Sequence, residues 1–121
     1  MKKNVIKTKS FAFAVRVINL YKYLVSEKKE FVLSKQILKS GTSVGACIRE
    51  SENAESRSDF KHKLSIAQKE INETIYWLEL LNETHFIEKI QFESLLSDAI
   101  EIMKLLTSIL KRMKSNTPIN N

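Results

Sequence analysis

The sequence predicts an all-α fold, an antiparallel up-down-up-down four-helix bundle, and three observations carry that reading. Only two glycines and one proline interrupt 121 residues. Apolar side chains recur at alternating three- and four-residue intervals through four segments, the spacing of a helix face. The segments are joined by short polar turns, which makes sequence neighbours antiparallel neighbours in space.

The first helix is predicted over about 11–26 with Ser10 as its cap. Phe11, Ala14, Ile18, Tyr21 and Val25 form one stripe, and Phe13, Val17, Leu20 and Leu24 form a second beside it. Together they span roughly 220° of arc, more than the ~100° that a surface helix buries. The second helix is predicted over about 34–55, with Ile37, Gly41, Val44 and Ile48 as its seam. Residues 40–46 form helix poorly on their own, since each glycine costs about 1 kcal/mol relative to alanine. The three-four period nonetheless runs through them without a slip, so the helix is predicted to continue; the alternative is a break at Gly41.

Ser56-Arg57-Ser58-Asp59 matches a Ser-x-x-acid cap and opens a third helix over about 58–84. Phe60, Leu64, Ala67, Ile71, Thr74, Leu78 and Leu81 keep the period, and Ile66, Trp77 and Leu80 form a second stripe. The fourth helix is predicted over about 88–114, and residues 115–121 are expected to be a disordered tail. Phe13, Val17, Leu20, Leu24, Ile66, Trp77 and Leu80 are the candidate interface residues. An apolar surplus of this kind usually becomes a contact between copies, so a closed homo-oligomer is expected.

Charge is segregated along the chain. Residues 1–39 carry ten Lys/Arg against two acids, residues 40–103 carry six against twelve, and residues 104–121 carry four against none, for a net +6. In the bundle topology the start of helix 1, the turn between helices 2 and 3 and the end of helix 4 share one end. Lys2, Lys3, Lys7, Lys9, Arg57, Lys61, Lys111, Arg112 and Lys114 would gather there and contact nucleic-acid phosphate, with Glu50, Glu52, Glu55 and Asp59 partly offsetting them. No groove-reading or base-stacking motif accompanies these cations, so little sequence selectivity is expected.

Catalytic and metal chemistry find no support, and no cofactor is expected. A di-iron bundle needs inward carboxylates on all four helices and Glu-x-x-His pairs. Helix 1 has no acid before Glu27, and neither His62 nor His85 has Glu three positions earlier. One cysteine and two distant histidines do not make a zinc site. Gly41-Thr42-Ser43-Val44-Gly45 lacks the Gly-Lys-Ser/Thr ending of a phosphate loop. Cys47 reads as a small buried side chain. Glu70 and Glu73 read first as a solvated acidic face; their place beside Trp77 also allows an ion-pair network with Arg or Lys across an interface, with Arg49 as a candidate partner. No apolar run approaches a membrane span, no secretory leader is visible, and the lone cysteine suits a reducing cytoplasm. Besides nucleic acid, a protein partner docked on the apolar arcs is the competing expectation.

Several stretches carry a family resemblance. They are Phe13-Ala14-Val15-Arg16-Val17-Ile18, the run from Leu33 to Glu50, Ala54-Glu55-Ser56-Arg57-Ser58-Asp59-Phe60, and the run from Lys69 to Leu81. The most specific part is Lys39-Ser40-Gly41-Thr42-Ser43-Val44-Gly45-Ala46-Cys47-Ile48-Arg49-Glu50, in which Cys47 stands where asparagine is expected. On these residues the chain resembles the bacterial 23S rRNA intervening-sequence proteins. It is also similar to the accessory variability determinants of diversity-generating retroelements. The resemblance implies an antiparallel four-helix bundle in a ring-shaped homo-oligomer, a pentamer. It further implies binding of nucleic acid and, for the retroelement type, of a reverse transcriptase. It brings no catalytic residues.

Overall fold

The computed structural model describes residues 2–115, with side chains from Val5 onward. Four helices, α1 (Lys2–Ser26), α2 (Leu33–Ser51), α3 (Arg57–Glu83) and α4 (Lys89–Ser115), account for the architecture, and no strand occurs among the described residues. Each helix packs on its sequence neighbour and α4 closes more lightly on α1, while the diagonal pairs have no Cα atoms within 8 Å of each other. This is the up-down-up-down bundle. None of the helices is long and apolar enough to cross a membrane among the described residues.

The helix ends follow from local chemistry. Lys29 takes a left-handed φ of 52°, and the Glu30 N–H reaches back to the Leu24 carbonyl at 2.9 Å, which stops α1. The side chain of Glu30 then starts α2. Its carboxylate accepts the N–H groups of Val32, Leu33 and Ser34 at 3.2, 2.8 and 2.7 Å, satisfying open donors at a helix N-terminus with a negative charge. Ser56, in extended backbone, accepts the Asp59 N–H at 3.0 Å and caps α3; Asp59 reaches back to the Glu55 N–H at 3.1 Å. At the far end of α3, His85 adopts a φ of 66° and the chain turns into α4.

Two helix boundaries differ from the sequence expectation by more than one residue, and the others agree to within one. α1 begins at Lys2, about two turns before Phe11, because nothing in residues 2–10 breaks a helix and Ile6 adds a buried turn. Ser10 is therefore not a cap; it is buried inside α1, and its hydroxyl donates to the Lys7 carbonyl at 3.1 Å. α2 stops at Ser51, because the extended backbone that Ser56 needs for capping forces the chain to turn first. Ser115 closes α4 rather than opening a tail, and residues 116–121, the rest of the expected tail, lie outside the described residues.

The core resolves which stripe of α1 faces inward. Ile6, Phe13, Val17, Leu20 and Leu24 are at most 2% exposed, packed with Ile37, Ile71, Leu78 and Leu106. Gly41 makes this possible. α2 runs through it unbroken, and a Cβ there would sit 2.8 Å from Val17 Cγ2 and 2.9 Å from its Cγ1. The glycine lets α2 close on a stiff β-branched side chain. Across the α2/α3 seam, Thr74 Oγ1 lies 2.9 Å from Ser40 Oγ and donates to the Glu70 carbonyl at 2.7 Å, so this buried polar pair is satisfied.

Candidate nucleic-acid interface

The cations predicted to cluster fall into three groups. Lys2 and Lys3 begin α1, but their side chains lie outside the described residues. Lys7 and Lys9 are at the expected end, and both are already paired: Lys7 Nζ with Glu52 at 3.1 Å, and Lys9 Nζ with Glu101 at 3.1 Å. These exposed pairs tie α1 to α2 and α4, and each is worth little in stability. They also remove Lys7 and Lys9 from the uncommitted positive charge. Arg57 is spent as well. Its Nη2 donates to the Met113 carbonyl at 2.7 Å, placing a cation against the negative end of the α4 dipole.

That bond assembles what remains. With Gln68 Nε2 donating to Thr107 Oγ1 at 3.0 Å, it sets the antiparallel register of α3 and α4. The register places exposed Lys61 level with the last turns of α4, where Lys111, Arg112 and Lys114 are all exposed. None of these four has a carboxylate within 4.0 Å among the described residues. Lys104 was not among the expected residues. It precedes Lys111 by seven positions and so shares its helix face, where it too is exposed, with no carboxylate within 4.0 Å among the described residues. The missed signal was that same heptad spacing. The surface is therefore a cationic patch along the C-terminal half of α4 and the second turn of α3.

The neighbouring α2/α3 flank has the opposite character. Glu50 pairs with Lys63 at 3.1 Å, which holds the lysine above its usual range. Cys47 is half-buried nearby. Burial, then Glu50 and Glu70, push its thiol up, with Lys63 opposing, which keeps it protonated and a poor nucleophile. Glu70 is also pushed up, by burial and then by Glu73, against Lys39 and Lys69. Glu73 accepts the Trp77 Nε1–H at 3.2 Å, and Tyr76 meets the Trp77 ring edge-on at 5.1 Å. Arg49 does not reach these carboxylates within the chain; its guanidinium lies 5.2 Å over the Phe11 ring.

The candidate interface residues divide. Phe13, Val17, Leu20 and Leu24 are consumed by the chain's own core and leave no surface for a sister subunit. The inward stripe of α1 is the one expected to face out. On α1 the large apolar residues left exposed are Val5, Phe11, Val15 and Ile18, at 40, 57, 44 and 39%. Ile66, Trp77 and Leu80 keep part of their surface in solvent.

The model of the 23S rRNA-intervening sequence protein family matches residues 2–108. The chain belongs to this family. A crystal structure of a family relative from Bacteroides thetaiotaomicron VPI-5482, described as a protein of unknown function from the S23 ribosomal protein family, superposes with a TM-score of 0.91. It is 64% identical in sequence, and the alignment covers 92% of this chain and 99% of that one. No curated protein matches the chain. For this family member the match spans nearly the whole bundle, including the Gly41 crossing and both flanks of α2.

Proposed function

We propose that this protein is a non-enzymatic nucleic-acid-binding bundle. It works as a closed homo-oligomer, a pentameric ring by its family resemblance, and binds RNA or DNA through phosphate contacts. The observation that carries the reading is the unpaired cationic patch of Lys61, Lys104, Lys111, Arg112 and Lys114, held by the Arg57–Met113 and Gln68–Thr107 bonds. Assembly would repeat this patch around a ring and raise the local cation density that a phosphate backbone meets. The family name supports RNA as the first target to test. In the retroelement-type version the same patch serves a ribonucleoprotein that includes a reverse transcriptase.

A single-stranded RNA titration at about 50 and about 200 mM salt tests this, because counterion release makes phosphate binding fall by about 0.7 log units per contact for each tenfold rise in salt. Salt-dependent binding supports the reading. Absence of binding at the lower salt removes it. A protein scaffold without nucleic acid is the second reading, favoured by the exposed stripe of Phe11, Val15 and Ile18. In that case, neutralising the patch would leave capture of the partner unchanged.

A further inference from the structure

Two surfaces left over by the fold are complementary, and they lie on opposite flanks of α2. On the α1/α2 flank, Phe11 and Ile18 are exposed, at 57 and 39%. Arg49 lies over the Phe11 ring and has no carboxylate within 4.0 Å among the described residues. On the α2/α3 flank, Trp77 is half-buried beside Glu70 and Glu73, and neither carboxylate forms an ion pair among the described residues. One surface is apolar with an uncommitted guanidinium. The other is apolar with two uncommitted carboxylates.

We propose that the Phe11–Ile18–Arg49 face of one chain docks on the Glu70–Glu73–Trp77 face of the next, with Arg49 pairing to the two carboxylates. This rests on the assembly part of the proposed function and names its contact. The occupant is a second copy of this chain. The two faces are matched in charge, each carries apolar side chains that the monomer leaves wet, and each is present once per copy. A guanidinium already stacked on an aromatic ring loses little freedom on meeting a carboxylate, and its fork can engage two oxygens at once. The carboxylates gain a directly paired counter-charge; within the chain Lys39 and Lys69 act on Glu70 only from beyond ion-pair distance, and burial and then Glu73 outweigh them and push it up. Because the faces flank α2 on different sides, a chain that has docked through one still offers the other. Such a contact is head-to-tail, and it makes a ring when the rotation closes.

Charge exchange tests the pairing. Arg49→Glu alone and the double variant Glu70→Lys, Glu73→Lys alone would be compared with the unaltered chain by sedimentation velocity at micromolar concentration. Far-UV circular dichroism would confirm the fold of each. The proposal expects an oligomer for the unaltered chain and at least about a hundredfold weaker association for each variant, since like charges then meet at the contact. It expects the two variants mixed together to recover association into pairs and short open chains, because each mixed contact restores opposite charges; a five-membered ring cannot alternate the two variants, so one like-charged contact keeps it from closing. Variants that keep the size of the unaltered chain overturn the pairing. So does a monomeric unaltered chain, or a mixture that stays dissociated. Salt-dependent RNA binding is read on the same samples. If Arg49→Glu abolishes RNA binding and leaves the oligomer intact, the Phe11 face is a nucleic-acid seat and the docking proposal falls. If assembly follows the proposal but the unaltered chain binds no RNA, the contact stands and the nucleic-acid reading fails.

Discussion

α1 carries two apolar stripes that begin two residues apart and meet opposite fates. Phe13, Val17, Leu20 and Leu24 are sealed in the core, whereas in the stripe that starts at Phe11 both Phe11 and Ile18 stay exposed and Ala14, Tyr21 and Val25 are half-buried, with Val15 exposed beside them. Composition does not separate them, since each stripe mixes aromatic and aliphatic residues. The facing helix does. Gly41 leaves a recess that Val17 fills, and Ser10 lies against Gly45, where a Cβ would come 3.4 Å from the Ser10 carbonyl oxygen. The small residues of α2 thus select the stripe that can approach most closely. The other stripe, displaced around the helix, keeps Arg49 as its neighbour. An apolar arc wider than one core needs is therefore a record of two surfaces.

The largest effect on stability is expected at Phe13. Phe13→Ala should cost about 3–5 kcal/mol by denaturant unfolding, the range for an aromatic side chain removed from a sealed core. A loss no greater than that of an exposed residue would mean the inward stripe is misassigned. Gly41→Ala comes next. Its new methyl group would press on both Cγ atoms of Val17, costing about 1–3 kcal/mol. Alanine's better helix propensity returns up to about 1 kcal/mol. Adding Val17→Ala should remove the clash, so the two substitutions should be less than additive in a double-mutant cycle.

Glu70→Gln sharpens the comparison from the other side of α2. Folding raises the Glu70 carboxyl above its ordinary range, so the folded chain holds that proton more tightly than the unfolded one. The ionised form is therefore a net burden at neutral pH, and the variant should melt slightly higher there. The difference should vanish as pH falls through the carboxylate range and the unaltered chain takes up its proton. The melts belong at concentrations where copies do not associate, since a paired Arg49 would reverse the sign. The smallest effect on stability is expected at Phe11. Phe11→Ala should stay within about 0.5 kcal/mol in the dissociated chain, as for other surface positions, while weakening self-association. A loss comparable to that of Phe13→Ala would erase the distinction between the stripes.

Much of this was legible in the sequence. The bundle followed from the three-four spacing, the α3 cap from Ser56-Arg57-Ser58-Asp59, and the continuity of α2 from a period that never slips across Gly41. The choice between the α1 stripes was legible too, had the helix been extended backward. The buried stripe continues backward through Ser10 to Ile6 without meeting a charge, whereas the Phe11, Ala14, Ile18, Tyr21 and Val25 stripe runs backward into Lys7. Other features were not readable. Glu30 supplies the N-terminal acceptor for α2 from a position three residues before the first helical residue, and the turn that aims it depends on Lys29 entering left-handed backbone. The fate of each lysine was also hidden. Lys7 and Lys9 differ from Lys111 and Lys114 only in what the fold brings near them, Glu52 and Glu101 in the first case.

The patch on α3 and α4 therefore matters more to function than the total charge. Its direct measurement is the salt dependence of RNA binding for the unaltered chain and for a chain carrying Lys111→Gln, Arg112→Gln and Lys114→Gln. Neutralising three phosphate contacts should lower the log–log salt slope by about 2 per chain and weaken binding across sequences alike. A variant with an unchanged slope and unchanged affinity would contradict the assignment of this surface to nucleic acid.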